Sequence, residues 1–288
     1  MHPCGGAERW QAGRSRQPVR LLGTKIVEKP WGKDVLPPQF DVPEGKRIGE
    51  VWFEPPPKLP DILIKYIFTR EKLSVQVHPN DVQAKDLGES DRGKEECWLV
   101  INAEPGAVLG IGFKQPVDAE TMRVAALNGS IEALMEWYPV QPGDFFYIPA
   151  GTVHAIGAGV SLIEIQQNSD ITYRLYDYGR GRELHLDKGL QVARGELHDP
   201  ALRRKVSLDR SLQLVNGPYF KVEYTVAEPA QVTTVVLDAP TLVVPVACNA
   251  VVRDQVIKPG QCAMAEAGGE LRLEPPSGTC LLVQGMPA

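Results

Sequence analysis

Metal-ligand chemistry is the first possibility that this sequence raises. Two of its five histidines lie in strand-like segments bounded by glycine or proline: His78 in KLSVQVHP and His154 in PGDFFYIPAGTVHA. A third segment, GKEECWLV, contains Glu95 and Glu96. Imidazole and carboxylate groups are the usual non-thiolate ligands of a catalytic divalent metal such as zinc. The three segments therefore predict a metal site, and histidines that fill polar core pockets are the alternative.

The segment that contains His78 has the alternation of a β-strand. Leu73, Val75 and Val77 would share one face, and Gln76 and His78 would share the other. Because side chains at positions i and i+2 point into the same space, Gln76 and His78 are both candidate ligands. The pattern predicts a barrel whose strand packs its apolar side outward and holds polar groups inside.

Composition excludes several classes of function. Apolar residues make up 43% of the sequence and charged residues 23%, as in ordinary globular proteins. The net charge is −5 without a basic block, so no nucleic-acid partner is expected. No apolar run approaches the ~18 residues that span a membrane, so no membrane partner is expected either. Five cysteines without CxxC spacing indicate a reducing compartment and predict a cytoplasmic protein.

Frequent turns separate short strand-like segments along the whole chain. The 27 glycines and 25 prolines are spread rather than clustered, which is typical of an all-β sandwich or barrel. We expect an all-β fold with a few helices and two β-barrel or jelly-roll domains, the N-terminal one carrying the metal. The expected division is a disordered leader at 1–18, a metal-binding domain at 19–194, a linker at 195–214 and a smaller β-domain without a metal site at 215–288.

The clearest helix candidate covers residues 118–135. Its apolar spacing predicts one buried face that includes Met122, Val124 and Leu127, and a break is expected near Gly129.

A weak internal similarity links the two halves of the chain. The segments VQPGD, which ends at Asp144, and IKPGQ, which ends at Gln261, both read as a strand that ends in a Pro-Gly turn. We hypothesise a diverged repeat in which the C-terminal copy, which contains no histidine, lacks a metal site.

Several segments occur in the order found in a known enzyme family. QVHP at 76–79, KEECW at 94–98 and PAGTVHA at 149–155 resemble the motif series of the type I mannose-6-phosphate isomerases, in particular the short bacterial branch. KPWG, GEVW and NSDITYR support the resemblance, which covers roughly residues 22–190. It implies two cupin-like domains, of which the first is catalytic, and one Zn²⁺ per chain.

The resemblance also implies a ligand set. Carried onto this sequence, it assigns zinc binding to Gln76, His78, Glu96 and His154. The family pattern places the ligand glutamate directly before Cys-Trp, which selects Glu96. Because neighbouring strand side chains point to opposite faces, Glu95 is expected to face solvent.

The implied reaction interconverts mannose 6-phosphate and fructose 6-phosphate by moving a proton between C1 and C2 through an enediol. The substrate partner would thus be a small sugar phosphate. Arg174 matches the family's active-site arginine, and its guanidinium suits an enediolate oxygen. Glu164 matches a family glutamate, and Lys94 is a candidate proton shuttle because a neighbouring zinc would disfavour its ammonium form. The base is left open among these groups.

Three further residues are candidates for binding the sugar. Trp31 and Tyr173 could stack on its C–H surface, and Glu50 is an acidic lining candidate, although each could equally be structural. The chain has little room for the helical insert of the long family members, so phosphate-binding residues do not transfer. An isomerase of unphosphorylated mannose or a related aldose is therefore one alternative, and a non-catalytic sugar-binding cupin is the other.

Overall fold

The computed structural model describes residues 19–286 except 41, 43, 44, 208, 276 and 277. The predicted leader at 1–18 lies outside the described residues. Strands dominate the described part of the chain and its helices are few and short, so the predicted all-β class is confirmed. None of these helices is long and apolar enough to cross a lipid bilayer.

Two antiparallel sheets form the N-terminal sandwich. The first strand, β1 (Arg20–Leu21), pairs instead with the C-terminal part of the chain. The strands of the N-terminal sandwich are β2 (Thr24–Lys33), β3 (Ile48–Phe53), β4 (Ile62–Phe68), β5 (Val75–Val77), β6 (Glu96–Ala103), β7 (Val108–Phe113), β8 (Met135–Pro139), β9 (Asp144–Ile148), β10 (His154–Ile156), β11 (Val160–Gln167), β12 (Tyr173–Tyr176) and β13 (Arg203–Lys205). A seven-stranded sheet has the order β13-β9-β6-β11-β4-β3-β2, and a five-stranded sheet has the order β12-β5-β10-β7-β8.

An interior strand of the seven-stranded sheet, β4, is buried on both faces. All seven residues of β4 are buried, including a lysine in the middle of an otherwise apolar strand. Ile64 and Tyr66 pack away from the five-stranded sheet, in a cluster with the C-terminal strands. Lys65 and Ile67 point into the N-terminal sandwich because strand side chains alternate. Both faces of β4 are therefore packed, but only its inner face has a charged side chain.

The helices are α1 (Asp81–Asp86), α2 (Ala119–Asn128), α3 (Ile131–Leu134) and α4 (Leu186–Val192), with a 3-10 helix at Pro200–Leu202. Helices α2, α3 and α4 cover the outer face of the five-stranded sheet. Val75 and Val77 pack in one cluster with Met122 of α2 and Val192 of α4. The prediction that the His78 strand packs its apolar side outward is thus confirmed for these two valines.

The predicted helix at 118–135 is divided, as expected, at Gly129, whose positive φ of 82° ends α2. Part of the predicted buried face is wrong, since Val124 is 51% and Leu127 66% exposed. Each residue turns a helix by about 100°, which carries both side chains well away from the stripe that contains Met122. Small residues such as Ala125 complete the buried stripe instead.

Two more antiparallel sheets form the C-terminal sandwich. Its strands are β14 (Leu212–Asn216), β15 (Phe220–Val226), β16 (Thr233–Val236), β17 (Thr241–Ala247), β18 (Ala250–Val252), β19 (Gln255–Ile257), β20 (Ala263–Ala265), β21 (Glu270–Leu273) and β22 (Thr279–Gly285). The six-stranded sheet has the order β1-β20-β17-β22-β15-β14, and the four-stranded sheet has the order β16-β21-β18-β19. Apolar side chains such as Phe53, Phe145 and Phe220 join the six-stranded sheet to the seven-stranded one.

The predicted linker at 195–214 contains regular structure. Strand β13 pairs with β9 of the seven-stranded sheet, and β14 pairs with β15 of the six-stranded sheet. The sequence Arg-Arg-Lys of β13 has no alternation of apolar and polar residues, so it could not be recognised as a strand. An edge strand can form without that alternation, because backbone hydrogen bonds hold it in the sheet. The chain passes between the sandwiches after Lys205, and the predicted domain limits stay predictions.

Candidate metal centre

Strands of both N-terminal sheets bring the predicted ligands together. Gln76 and His154 lie directly opposite each other in the antiparallel pair of β5 and β10. Both project inward, because their neighbours Val77 and Ala155 pack outward against the helices. Glu96 begins β6 in the facing sheet. The packing of two sheets, rather than nearness in sequence, therefore creates the cluster.

His78, Glu96 and His154 form a compact and buried group. The Nε2 atom of His78 lies 3.7 Å from Glu96 Oε2, and that of His154 lies 3.4 Å from Glu96 Oε1. One potential ligand atom from each residue lies within 4.8 Å of the others. All three residues are buried. The group could therefore hold a metal ion.

Backbone carbonyls orient both imidazole rings. His78 Nδ1 lies 2.6 Å from the carbonyl oxygen of Ile171, and His154 Nδ1 lies 2.9 Å from that of Thr152. A carbonyl can only accept, so each Nδ1 carries the proton and each Nε2 offers a lone pair to the site. Burial lowers the pKa of His154 to about 4 and the pKa of His78 well below its usual value. Both rings are thus held neutral, which is the form that binds metal.

The burial and contacts of the Glu96 carboxylate show whether these residues could hold a cation. Its buried Oε2 is paired with Lys94 Nζ at 2.9 Å, while its buried Oε1 has no hydrogen-bond partner and faces His154 Nε2 at 3.4 Å. Burial, followed by the neighbouring carboxylate of Glu164, raises the pKa of Glu96. A buried carboxylate oxygen that faces the lone pair of an imidazole nitrogen is costly unless a cation lies between them. The carboxylate and the two neutral imidazoles therefore fit a divalent metal.

Gln76 is placed to join this ligand set. Its amide nitrogen lies 3.2 Å from His154 Nε2, and its amide oxygen faces Ser74 Oγ at 3.3 Å. The two ends of a glutamine amide exchange places by a half-turn, so the oxygen can face the site in the same space. The combined set has two nitrogen and two oxygen donors.

A buried network of charges lies beside the cluster. Glu164 Oε1 is 3.2 Å from Lys65 Nζ and 3.9 Å from Lys94 Nζ, while Trp98 Nε1 donates to Glu164 Oε2 at 3.0 Å. Burial alone would raise the pKa of Glu164, but Lys94, Lys65 and the Trp98 hydrogen bond outweigh it and lower the pKa. Glu164 is accordingly held as a carboxylate.

Lys94 differs from its sequence-based expectation. Burial alone would lower the pKa of Lys94, but the carboxylates of Glu96 and Glu164 outweigh burial and raise it. Its Nζ also lies 3.3 Å from His78 Nε2. The protein groups around Lys94 therefore favour its ammonium form, whereas the expectation rested on repulsion from a bound zinc.

A cavity of about 280 Å³ opens beside these residues. Of the sequence-predicted site residues, those that line it are Trp31, Glu50, Gln76, Lys94, Glu164 and Arg174. His78, Glu96 and His154 lie at its edge through their contacts with Lys94 and Gln76. The three-dimensional structure thus brings together nine of the ten predicted residues around one space.

Arg174 is anchored at its backbone and at one end of its side chain. Its Nη1 donates to the carbonyl oxygen of Glu183 at 2.7 Å, and its backbone N–H donates to His185 Nδ1 at 3.2 Å. Its buried Nε has no hydrogen-bond partner. His185, to which the sequence assigned no role, therefore helps to hold the strand segment that presents the guanidinium.

Tyr173 does not line the cavity. It is buried in the outer cluster with the helices, because it precedes Arg174 in β12 and must face the opposite side of the sheet. The expectation that Glu95 faces solvent is also wrong. Glu95 is half-buried, and Tyr147 donates a hydrogen bond to its carboxylate.

Glu50 lines the cavity with its carboxylate already engaged. Lys29 Nζ lies 3.3 Å from Glu50 Oε1, and Trp52 Nε1 donates to Oε2 at 2.6 Å. Trp31 is nearly fully buried at the same wall. The carboxylate of Glu50 at this wall is therefore already paired with neighbouring side chains.

Sequence reasoning missed several residues that line the cavity, among them Lys29, Trp52, Lys65 and Arg182. Lys65 carried a readable signal, since a lone lysine in an apolar strand must find a buried partner. Lys29 and Trp52 lie two residues from Trp31 and Glu50, so strand alternation could have found them. Arg182 lies in an irregular segment, where no spacing rule applies.

Comparisons with known proteins agree with the motif resemblance. No protein-family model matches the chain. The chain is 35% identical over 195 residues to the probable mannose-6-phosphate isomerase GmuF of Bacillus subtilis, and 44% identical over 137 residues to the mannose-6-phosphate isomerase ManA of the same organism. The resemblance to the mannose-6-phosphate isomerases is confirmed. The matched segments span 61% and 43% of these two relatives, which is less than two thirds of their length.

Solved mannose-6-phosphate isomerase structures share the fold. The crystal structure from Bacillus subtilis has a TM-score of 0.75 at 24% identity and covers 93% of this chain and 99% of that one. A putative mannosephosphate isomerase from Archaeoglobus fulgidus has a TM-score of 0.77 at 18% identity and covers 95% of this chain and 100% of that one. The cupin-type fold expected from the motifs fits these structures.

Proposed function

We propose that this chain is a zinc-dependent aldose–ketose isomerase that interconverts mannose 6-phosphate and fructose 6-phosphate. The observation that carries the proposal is the buried carboxylate of Glu96 between two imidazole Nε2 atoms, at the edge of a charged cavity. The names of the two Bacillus subtilis relatives support the choice of substrate. The reaction would move a proton between C1 and C2 through an enediol.

Gln76, His78, Glu96 and His154 would hold one Zn²⁺ per chain. Two imidazole nitrogens and two oxygen donors suit zinc, and a catalytic site keeps a further position for water or substrate. When bound, zinc would supply a Lewis acid that orients and polarises the substrate oxygens.

Arg174 would stabilise the negative charge that develops on an enediol oxygen. Its guanidinium lines the cavity while Nη1 is fixed to the Glu183 carbonyl. A held donor needs little reorganisation when the charge forms, which is why such groups contribute strongly to catalysis. Arginine stays protonated at neutral pH and cannot be the base.

Lys94 and Glu164 would handle the transferred proton. They lie 3.9 Å apart at the cavity wall, one as an ammonium donor and the other as a carboxylate acceptor. The pair therefore offers an acid and a base to neighbouring substrate atoms, as proton transfer requires.

The charge of the cavity favours a phosphorylated sugar. Among the described residues, five cationic side chains line it, Lys29, Lys65, Lys94, Arg174 and Arg182, against three acidic ones, Glu50, Glu164 and Asp170. An excess of positive charge attracts an anionic ligand. Free mannose or a related aldose would not use this excess, and a non-catalytic sugar-binding cupin would not need the Lys94–Glu164 pair.

Metal analysis coupled to an isomerase assay tests the proposal. We expect about one zinc per chain and a higher kcat/KM for mannose 6-phosphate than for mannose on the same preparation. A higher kcat/KM for mannose would favour the free-sugar isomerase. Sugar binding in calorimetry without solvent-deuterium incorporation at C2 would leave only the binding protein.

A further inference from the structure

The positive charges that line the cavity are compensated unevenly. Each of the three lysines in the lining has a carboxylate partner, and the pairs are Lys29–Glu50 at 3.3 Å, Lys65–Glu164 at 3.2 Å and Lys94–Glu96 at 2.9 Å. Arg174, by contrast, donates from Nη1 to a neutral backbone carbonyl, and its buried Nε has no hydrogen-bond partner. The lysine charges are therefore balanced within the protein, whereas the hydrogen bond of Arg174 supplies no negative charge.

Arg182, the second arginine of the lining, shares its carboxylate partner with a third arginine. Arg182 Nε donates to Asp177 Oδ2 at 2.7 Å, and its Nη2 donates to Oδ1. Arg180 Nη2 lies 2.9 Å from the same Oδ1. One carboxylate thus faces two guanidinium groups, and the cluster of Asp177, Arg180 and Arg182 carries a net positive charge.

Asp170 reduces the positive charge at this end of the cavity but does not cancel it. Arg174 and Arg182 lie close together, because Arg174 Nη1 bonds the carbonyl oxygen of Glu183, the residue after Arg182. Asp170 also lines the cavity and is exposed, so water and salt screen its charge. Even if it is counted in full, two aspartates face three arginines. An anionic ligand would therefore be attracted to this end rather than to the paired lysines.

The loop that carries Arg182 folds back on Asp177. Gly179 and Gly181 have positive φ angles of 74° and 73°, a left-handed conformation that glycine adopts without steric cost. The backbone N–H of Arg180 donates to the Asp177 carbonyl oxygen at 3.1 Å, which closes the turn. Asp177 is only 3% exposed, so its hydrogen bonds to Arg182 are sheltered from water. A buried carboxylate therefore fixes the direction of the Arg182 guanidinium.

Asp177 holds Arg182 without engaging all of its donors. A guanidinium presents several N–H groups in a planar fork, and the hydrogen bonds to Asp177 use Nε and Nη2. Nη1 is left for a second acceptor, and an arginine fork matches the oxygens of a phosphate group. The proton transfer between C1 and C2 needs no contribution from Arg182. Its position in the lining therefore suits the part of the substrate that does not react.

We propose that Arg182, held by Asp177, binds the phosphate group of the substrate and thereby selects a phosphorylated sugar over a free one. The assignment rests on the proposed function. Arg182 is then the specificity-determining residue, and Asp177 is a positioning residue that acts through it. Arg174 lies opposite Gln76 in the pair of β5 and β12, so it stays beside the predicted metal ligands.

Arg182→Gln tests the assignment by removing the charge and keeping a polar side chain. We expect kcat/KM for mannose 6-phosphate to fall about 10- to 100-fold, the range for losing a hydrogen bond between charged groups. The value for free mannose should fall much less, because mannose has no phosphate, so the ratio of the two kcat/KM values should fall. Zinc content should match that of the wild type.

Arg180→Gln is the matched control for this variant. It removes the same charge from the same loop, but the Arg180 guanidinium lies over the Tyr178 ring at 5.2 Å, and the described residues that line the cavity do not include Arg180. The ratio of kcat/KM values should therefore stay close to that of the wild type. An equal fall in both variants would mean that general positive charge, rather than Arg182, selects the phosphate, and would overturn the assignment.

Asp177→Asn tests the positioning role. It should lower the ratio in the same direction as Arg182→Gln but by less, since Arg182 remains and only its orientation is lost. Added to Arg182→Gln, it should cause no further fall in the ratio, because Asp177 acts through Arg182. A purely structural role would instead lower kcat/KM for mannose and mannose 6-phosphate equally, and that result would overturn the positioning role.

Inorganic phosphate separates this assignment from the proposed function. Titration calorimetry of the zinc-loaded protein at constant ionic strength should show phosphate binding that weakens in Arg182→Gln and persists in Arg180→Gln. No binding by the wild type, or equal affinity in the wild type and Arg182→Gln, overturns the assignment. A wild type that binds phosphate through Arg182 but converts no sugar phosphate overturns the proposed function and leaves the anion site standing.

Discussion

The two sandwiches differ mainly in what fills their interiors. Among the described residues, all buried acidic, lysine and histidine side chains lie between residues 50 and 198, in the N-terminal part. The buried polar residues of the C-terminal sandwich are threonines: Thr225, Thr241 and Thr279. Its cluster between the six- and four-stranded sheets is built from small and aliphatic side chains such as Val243 and Leu271.

This contrast shows that the N-terminal interior is not arranged for stability alone. A buried unpaired charge is strongly destabilising, and even a well-paired one is often no better than an apolar replacement. Lys65 pairs with Glu164 at 3.2 Å and Lys94 pairs with Glu96 Oε2 at 2.9 Å, but the buried Oε1 of Glu96 keeps no hydrogen-bond partner. The C-terminal sandwich has no such group among its described residues, and its core can be apolar.

The two sandwiches nevertheless share a turn in atomic detail. In each Pro-Gly turn, the fourth residue donates its N–H to the first carbonyl, Asp144 to Gln141 at 3.1 Å and Gln261 to Lys258 at 3.0 Å. The fourth side chain also accepts from the first N–H in both cases. The turn similarity seen in the sequence is confirmed, while the diverged repeat stays a hypothesis.

The largest effect is expected when a buried charge is removed from the N-terminal interior, because the C-terminal interior has no buried charge among its described residues. Glu96→Gln should lose bound zinc and isomerase activity together, because the negative charge that balances the metal is removed. The activity loss should exceed the 10- to 100-fold range, roughly, that follows loss of a group that only orients a ligand. Metal analysis and the isomerase rate measure both effects.

Glu223→Gln is the matched control for this change. Glu223 is exposed on β15 of the C-terminal sandwich, so the same substitution there should leave zinc content and rate unchanged. Full activity in a zinc-free Glu96→Gln variant would contradict the proposed metal centre.

Arg174→Ala should separate catalysis from metal binding. The variant should keep its zinc, because Arg174 is not a ligand, but kcat should fall about 100- to 1,000-fold, as is typical for loss of one charge-stabilising donor. Steady-state kinetics and metal analysis on one preparation check this. Arg272→Ala, an exposed position on β21, is the control, and an equal loss of kcat there would contradict a specific role for Arg174.

Leu271→Ala tests the opposite side of the comparison. Leu271 is fully buried in the C-terminal sandwich, so the cavity left by truncation should lower the free energy of unfolding by about 2–5 kcal/mol. Zinc content and kcat of the folded protein should stay unchanged, since this side chain packs in a cluster that contains none of the metal-centre residues. Chemical denaturation measures the free energy of unfolding. A loss of zinc from the folded variant would mean that the two interiors are coupled.

The smallest effect compares the two Pro-Gly turns. Gly143 and Gly260 have positive φ angles of 90° and 87°, so alanine at either position should cost about 1–2 kcal/mol of unfolding free energy. Gly143→Ala should be the more costly, because its Cβ would lie 2.9 Å from the Val206 backbone oxygen. At Gly260 the nearest atom belongs to the movable side chain of Gln39. A lower denaturation midpoint for Gly260→Ala than for Gly143→Ala would contradict this expectation.

Much of the site could be predicted because strand alternation is a local property. It separated Gln76 and His78 from Val75 and Val77, and it separated Glu96 from Cys97, which packs on the outer side. The same rule would have excluded Tyr173 once Arg174 was assigned to the cavity. The motif resemblance, rather than alternation, selected the complete ligand set.

Other features depend on contacts between distant segments. Lys65 could be recognised as unusual, but nothing near it in sequence identifies Glu164 as its partner. The ring contact of Tyr147 with Phe220 likewise joins two sandwiches whose sequences show no shared signal for it.

The sequence by itself determined the strand faces, the Pro-Gly turns, the helix break at Gly129 and the types of ligand available. These features depend on residues within a few positions of one another, where covalent geometry limits the choices. Only the tertiary structure decided which inward groups meet around one cavity and which side chains join the two sandwiches. Such contacts are set by how whole sheets pack, and sheet packing sums many weak apolar contacts that no short stretch of sequence contains.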